Sequence, residues 1–234
     1  MAIELYATAG SVEKDLRNHV VIVVDVLRAT SVMVTAVEHG VRFIIPVSEV
    51  EEAVDMARQL GNQRVLLCGE RQAKPIPEFH LSNSPLEYTP EMVADREMVM
   101  TTTNGTRAIL RAKDARVLLL GSFLNASAVA HVARENGENI AIVCAGTNGK
   151  FSLDDILCSG AIISRLLELD DLARTALTLY DSYKDDLRAA LAGSAHVERL
   201  RSLGMEDDIR FCLQEDVMDA VPCYVDGVIR DSYA

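Results

Sequence analysis

The run Val20-Val21-Ile22-Val23-Val24 constrains the chain most, because five consecutive apolar, β-branched residues end abruptly at Asp25. Branching at Cβ favours a pleated strand over a helix, and a strand apolar on both faces must be covered on both faces. A sheet between helical layers meets that demand. The run therefore predicts an α/β protein whose open sheet is covered by helices on both faces. Open sheets of this class bind ligands beyond the carboxyl ends of their strands, where Asp25 falls. Arg28, Thr30 and Ser31 follow at once. Thr30 or Ser31 is expected to cap a helix carrying Val32, Val34, Ala36 and Val37, leaving N–H groups free for an anion. The competing reading is an ordinary turn in which Asp25 caps and Arg28 pairs with it.

The strand-then-polar-turn pattern recurs. Ile3–Thr8 and Val41–Val47 read as strands, with Pro46 marking an edge or an end, and Arg64–Cys68 runs into Gly69-Glu70-Arg71, a second carboxylate followed by arginine. Glu97–Thr101 leads into Thr102-Thr103-Asn104-Gly105-Thr106-Arg107, where hydroxyls, a permissive glycine and a helix start form an anion cradle or a plain tight turn. Arg116–Leu120 and Asn139–Cys144 are further strands, the latter followed by Ala145-Gly146-Thr147. Helices are expected from a Ser48/Glu51 capping box to Leu60, with Gly61 as the stop; from Pro90; over Ala126–Glu135; and after Ser152. Asp154 and Asp155 fall in the first turn of that last helix, as dipole partners or as oxygen ligands for a hard cation. Gln72–Pro90 reads as a long ordered loop. Beyond Asp170 the pattern is mainly helical, Leu172–Ala192, Ser194–Leu203 and Asp207–Gln214, before short closing strands at 221–225 and 227–229. Asp207 and Asp208 read there as part of a solvated acidic face.

With 234 residues, 49% of them hydrophobic, the chain has material for one domain spanning 1–234. Its formal charge of -12 argues against a nucleic-acid partner, since phosphate backbones need a basic footprint. No apolar run reaches membrane-spanning length and the N-terminus lacks a signal-peptide pattern, so a cytoplasmic protein without a membrane partner is expected. The oligomer is open, a homodimer included. Cys68, Cys144, Cys158, Cys212 and Cys223 show no CxxC spacing and read as reduced thiols.

Familiar phosphate motifs fail at definite positions. The second aspartate of haloacid-dehalogenase phosphatases is replaced by Leu27. Gly146-Thr147-Asn148-Gly149-Lys150-Phe151 is too short for a Walker A loop and ends on the wrong residue. Cys144 is followed six positions on by Lys150, without the planar fork that clamps a phosphoryl group. What remains is a set of strand-end carboxylates with arginines and Gly/Ser/Thr/Asn loops. Such a set suits metal-assisted phosphoryl transfer, or a module that binds a small anion without turnover.

Asp25-Val26-Leu27-Arg28-Ala29-Thr30-Ser31, Gly69-Glu70-Arg71, Leu81-Ser82-Asn83-Ser84-Pro85, Thr102-Thr103-Asn104-Gly105-Thr106, Cys144-Ala145-Gly146-Thr147 with Asp155, Ser194-Ala195-His196 and Asp219-Ala220-Val221-Pro222 together resemble the 2-phosphosulfolactate phosphatase family. The likeness runs nearly the whole chain. It implies a three-layer α/β/α fold with a mixed, largely parallel central sheet, and a Mg²⁺-dependent hydrolase that converts (2R)-O-phospho-3-sulfolactate to (2R)-3-sulfolactate and phosphate, a step of coenzyme M biosynthesis in methanogens. A phosphatase of the same mechanism for another hydroxy-acid phosphate is a further enzymatic alternative. Carried over by motif, the catalytic residues are Asp25, Arg28, Glu70 and Arg71, and the metal ligands Asp25, Glu70 and Asp155. The substrate, a small anionic phosphomonoester, is assigned to Thr30, Ser31, Ser82, Asn83, Thr103, Asn104, Gly105, Thr106, Arg107, Gly146 and Thr147. The family pattern has Glu before the aspartate that matches Asp155, where this chain has Asp154. His196 has the acid/base chemistry for proton transfer but reads first as a cap or surface residue, outside this set.

Overall fold

The computed structural model of the chain describes residues 2–61, 63–166 and 169–232. Its strands are β1 (Ala2–Tyr6), β2 (Val20–Val24), β3 (Phe43–Val47), β4 (Val65–Arg71), β5 (Lys74–Pro75), β6 (Glu97–Thr101), β7 (Val117–Gly121), β8 (Asn139–Cys144), β9 (Pro222–Val225) and β10 (Val228–Asp231). The helices are α1 (Ala29–Glu38), α2 (Val50–Leu60), α3 (Pro90–Val93), α4 (Gly105–Arg111), α5 (Ala126–Asn136), α6 (Leu153–Ile163), α7 (Asp171–Tyr183), α8 (Leu187–Ala190), α9 (Ala195–Ser202) and α10 (Glu206–Cys212).

The strands form one sheet in the order β1-β8-β2-β7-β9-β10-β3-β6-β4-β5. β1, β8, β2 and β7 are mutually parallel, as are β3, β6 and β4. Between the two blocks lies the β9–β10 hairpin, antiparallel to β7 on one side and to β3 on the other. The short strands expected to close the sheet thus lie at its centre and join its halves. Pro46 is accommodated because β10 pairs with β3 at Ile44, which leaves the Pro46 side of β3 free of a second ladder.

β2 is paired along its full length, to β7 on one side and β8 on the other, and all five of its side chains are buried. Alternation splits them between the faces. Val20, Ile22 and Val24 pack with Val129 of α5 and with Ile156, Leu157 and Ile162 of α6, whereas Val21 and Val23 pack with Val32, Met33 and Ala36 of α1. Each such side chain contributes roughly 1.5–3 kcal/mol of burial, which explains the continuous apolar run. The face carrying α1 and α4 is shared by both parallel blocks: Val21 and Leu118 join the same cluster as Ile44, Leu66 and Met100. α2 covers the other face of the second block, around Val47, Ala53 and Val99. Helices therefore lie on both faces, the three-layer arrangement expected. Because both blocks wrap the α1/α4 layer, the ends of β2, β4 and β6 meet.

Two helix starts differ from expectation. α1 begins at Ala29, with Arg28 rather than Thr30 or Ser31 at its N-cap. α2 begins at Val50 after Glu49, and the Ser48/Glu51 box gives way to a bond from the Ser48 N–H to Glu52 Oε2 at 3.0 Å. Gly61 ends α2 as expected, its left-handed φ of 61° letting its N–H reach Ala57 O.

Candidate active site

The centre of the site is the turn after β2. Asp25 donates its N–H to Thr30 Oγ1 at 3.1 Å, its carbonyl accepts from the Thr30 N–H at 2.9 Å, and the Ser31 hydroxyl donates to Val26 O at 2.8 Å. Thr30 and Ser31, expected to meet the anion, are instead fully buried and knot the turn that presents Asp25. Asp25 retains 8% exposure. Burial pushes its carboxyl up to about 7, against the opposing pull of His196 and with help from the charges of Asp154 and Glu70. α4 approaches this carboxylate closely. A Cβ on Gly105 would stand 2.7 Å from Asp25 Oδ2 and 2.5 Å from Ala29 Cβ, so the glycine is required by contact rather than by turn conformation.

Asp25 opens into a cleft of about 260 Å³. Of the residues the sequence nominated, Arg28, Glu70, Asn83, Thr103, Asn104 and Thr147 also line it. Arg28 is 4% exposed. Its Nη1 bonds to Asp208 Oδ2 of α10, and Nη2 donates to Ala73 O at 3.3 Å, so its partner is not Asp25. Glu70 accepts from the Thr103 N–H (2.6 Å), the Ala73 N–H (2.6 Å) and the Thr103 hydroxyl (3.1 Å). Those bonds tie the ends of β4 and β6 together, with Gly69 fitting because a Cβ there would meet Thr101 O at 1.9 Å. Asn83 is 5% exposed, and its buried Oδ1 has no hydrogen-bond partner among the described residues.

Other nominated residues have different roles. Arg71 turns away, donating to Ser48 O at 2.7 Å and Thr101 Oγ1 at 2.8 Å. Ser82 bonds to Glu87, Thr106 exchanges hydrogen bonds with Thr102, and Arg107 pairs with Glu49 at 2.9 Å at the edge of an adjoining cavity of about 400 Å³. Asp155, nominated as a metal ligand, is engaged by backbone donors. Its Oδ1 accepts the Val26 N–H and its Oδ2 the Gly146 N–H, each at 3.0 Å, so it ties the turns after β2 and β8 together and engages Gly146 from inside. Burial and the charges of Asp154 and Asp25 raise its carboxyl well above the usual range. Among the described residues no three His, Cys, Asp or Glu side chains gather as a metal-holding group, so Asp25, Glu70 and Asp155 do not form a protein cage.

The structure brings in residues that the sequence left aside. His196 and Arg199 of α9 reach the cleft beside Gln72 and Asn148. His196 Nδ1 lies 3.1 Å from Asp154 Oδ2, and the Ser152 hydroxyl bonds to Asp154 Oδ1. Ser152 thus spends its hydroxyl on Asp154 rather than capping α6. Burial opposes the imidazolium, but the bond to Asp154 and the charges of Asp154 and Asp25 outweigh it and raise the His196 pKa. Asp208, read as surface charge, is buried against Arg28. A usable signal for His196 was its place two residues after Ser194, the cap of α9, since a helix start delivers its first side chains to one place. Cys144 is buried with its thiol raised well above the ordinary value, which removes it as a nucleophile at neutral pH.

A family model described as 2-phosphosulpholactate phosphatase matches residues 6–227. A protein named probable 2-phosphosulfolactate phosphatase from Caldanaerobacter subterraneus subsp. tengcongensis is 44% identical, covering 99% of each chain. Proteins of the same name from Clostridium novyi (42% identical, 95% of this chain and 96% of the relative) and Clostridium beijerinckii (39%, 98% and 99%) align almost as fully. Such coverage embraces every strand end that builds the cleft, and the chain belongs to the 2-phosphosulfolactate phosphatase family.

Proposed function

We propose that the chain is a Mg²⁺-dependent phosphatase that hydrolyses (2R)-O-phospho-3-sulfolactate to (2R)-3-sulfolactate and phosphate, the reaction that serves coenzyme M biosynthesis. The observation that carries the reading is the buried Asp25 carboxylate opening with Arg28, Asn83, Thr103 and Asn104 into one small polar cleft. A cavity of about 260 Å³ lies below the usual range for drug-sized ligands and suits a short phosphomonoester. Arg28 has three N–H donors beyond those used on Asp208 and Ala73. These, with Thr103 and Asn104, serve to hold phosphoryl oxygens. The adjoining cavity shares Thr103, Asn104 and Asn148 and carries Arg107 and Arg111, cations suited to the sulfonate or carboxylate of the same substrate.

Magnesium is commonly bound by one or two carboxylates plus substrate phosphate and water rather than by a protein cage. The donor set fits that mode: Asp25 and the unpartnered Asn83 Oδ1 would hold the ion, which when bound polarises a phosphoryl oxygen and lowers the pKa of a water. The ion would add to Arg28 in offsetting Asp25 and Glu70 against a multiply anionic substrate. The test is phosphate release from synthetic O-phospho-3-sulfolactate by purified protein, with Mg²⁺ and with a chelator. Metal-dependent release is expected; sulfolactate binding by calorimetry with no release would favour a non-catalytic anion module instead.

A further inference from the structure

We propose that His196, held by Asp154, is the proton donor to the leaving oxygen of the substrate. The inference rests on the phosphatase reading and assigns it a catalytic residue. Hydrolysis of an alkyl phosphate breaks the bond between phosphorus and the ester oxygen, and the electron pair goes to an alkoxide far too basic to leave unprotonated at neutral pH. A positioned acid is therefore needed. Water forms the new bond to phosphorus, the ester oxygen takes the His196 proton, and the proton that water gives up returns to the imidazole through solvent. Alcohol and hydrogen phosphate result.

The geometry fits this task. His196 lines the cleft together with Asp25 and Arg28. Its Nδ1 is the nitrogen bonded to Asp154, at 3.1 Å, which leaves Nε2 as the atom for substrate. Asp154 is itself fully buried and fixed by Ser152, whose hydroxyl stands 3.1 Å from Thr147 Oγ1. A chain of bonds thus runs from the loop after β8 through α6 to the first turn of α9, and it fixes both the plane and the tautomer of the ring. The charged groups around it are Asp154 from α6, Asp25 from the end of β2, Arg28 before α1 and, along the cleft, Glu70 and Arg199. The carboxylates favour the imidazolium and Arg28 opposes it. Asp154 is a positioning residue: it reaches the substrate only through His196.

The experiment follows kcat against pH for wild type, His196→Gln, His196→Ala and Asp154→Asn in saturating Mg²⁺, alongside NMR titration of the His196 ring. Loss of a general acid is worth on the order of 10²–10⁴ in rate. His196→Gln is expected to lose that much kcat with little change in KM, and to lose the basic limb of the profile. Asp154→Asn is expected to move both that limb and the NMR titration to lower pH by about a unit, removing an opposite charge in contact with the ring. Added imidazole is expected to restore at least part of the His196→Ala loss, which a structural defect would not allow. A basic limb unmoved in every variant, or an NMR titration indifferent to Asp154→Asn, would overturn the assignment. If wild type released no phosphate the parent reading would fall too, and a ring titration that still answered to Asp154 would locate the error there rather than in the His196–Asp154 pair.

Discussion

The buried pair between Arg28 and Asp208 offers the sharpest test of how the cleft is built. Both groups are almost out of water, at 4% and 6% exposure, and they come from opposite ends of the chain. Asp208 Oδ2 takes Arg28 Nη1, while Oδ1 accepts the Ser84 hydroxyl at 2.7 Å. Asp208→Ala leaves the guanidinium with the Ala73 carbonyl at 3.3 Å and the Ser84 hydroxyl without its acceptor. Removing one partner of a buried pair costs about 3–5 kcal/mol, mostly because the other charge stays buried unpaired. For a protein of this size that is a fall in Tm of roughly 6–20 °C. Urea unfolding is expected to show a lower midpoint at unchanged m, since the surface exposed on unfolding is the same. The double variant Arg28→Met/Asp208→Leu is the control. Replacing both charges by apolar groups of similar volume is often neutral, so its stability should return to within about 2 kcal/mol of wild type, while phosphate affinity stays lost. A single Asp208→Ala variant destabilised by less than about 1 kcal/mol would refute the reasoning, because Arg28 would then be solvated or paired elsewhere.

Other outcomes follow from the same geometry. Asp155→Ala strands the buried Val26 and Gly146 N–H groups, at about 1–3 kcal/mol for each unsatisfied donor, and should appear in chemical denaturation even in the absence of metal and substrate. Gly105→Ala forces a methyl against Asp25 and Ala29 and is expected to cost about 1–3 kcal/mol of stability, with weaker phosphate binding measured by calorimetry. In metal-free buffer Asp25 takes up a proton more readily folded than unfolded, its carboxyl being raised to about 7. Its contribution to stability is therefore complete below about pH 4 and is lost as pH rises toward 7, at about 1.4 kcal/mol per unit of pKa difference. Asp25→Asn should flatten that decline; an identical pH slope in wild type and variant would show that Asp25 is not buried as described. Cys144 and Cys158, buried and raised well above their ordinary pKa, should resist iodoacetamide at pH 7 in the folded protein, as read by mass spectrometry.

The local structure was largely written in short stretches of sequence. β2, β6 and β8 fall where apolar runs required them, and Gly61 and Pro90 end or begin helices for reasons internal to a few residues. Failures occurred where a side chain had two chemically suitable partners. Thr30 and Ser31 have the hydroxyls of a cap, yet each bonds back into the turn before it. Ser152 stands at an N-cap position, but Asp154 draws its hydroxyl away. Nothing local distinguishes these outcomes, because the competing groups are equally near along the chain. The place of the β9–β10 hairpin was hidden for a related reason. Its strands are short and half polar, as an edge would be, and only the pairing of Tyr224 with Leu118 and of Ile229 with Ile44 puts them at the centre.

For the site, the division is one of sequence separation. Residues at strand ends could be nominated one by one, because open sheets place ligands beyond the carboxyl ends of their strands, and Asp25, Glu70, Thr103 and Thr147 line the same cleft although the three antiparallel pairings through the hairpin run the two blocks in opposite directions. Their chemical roles depend on partners far along the chain. Asp154 and Asp155 illustrate this most directly: adjacent and of one type, both in the first turn of α6, they point to different tasks because a helix turns about 100° per residue. Asp155 faces two backbone N–H groups and becomes a tie; Asp154 faces α9 and meets His196. The acidic residues of the helices after Asp170 read as a solvated face, yet these helices supply the cleft with His196, Arg199 and the counter-ion of Arg28. Charge explains why they must. The strand ends bring in carboxylates, and Arg28, steadied by Asp208, needs further cations beside it to face an anionic ester: Arg199 from the late helices, Arg107 and Arg111 from α4, or a bound metal. The late helices and the strand-end carboxylates therefore form one electrostatic unit, and removing the α9–α10 segment should abolish phosphate binding even if the sheet survives.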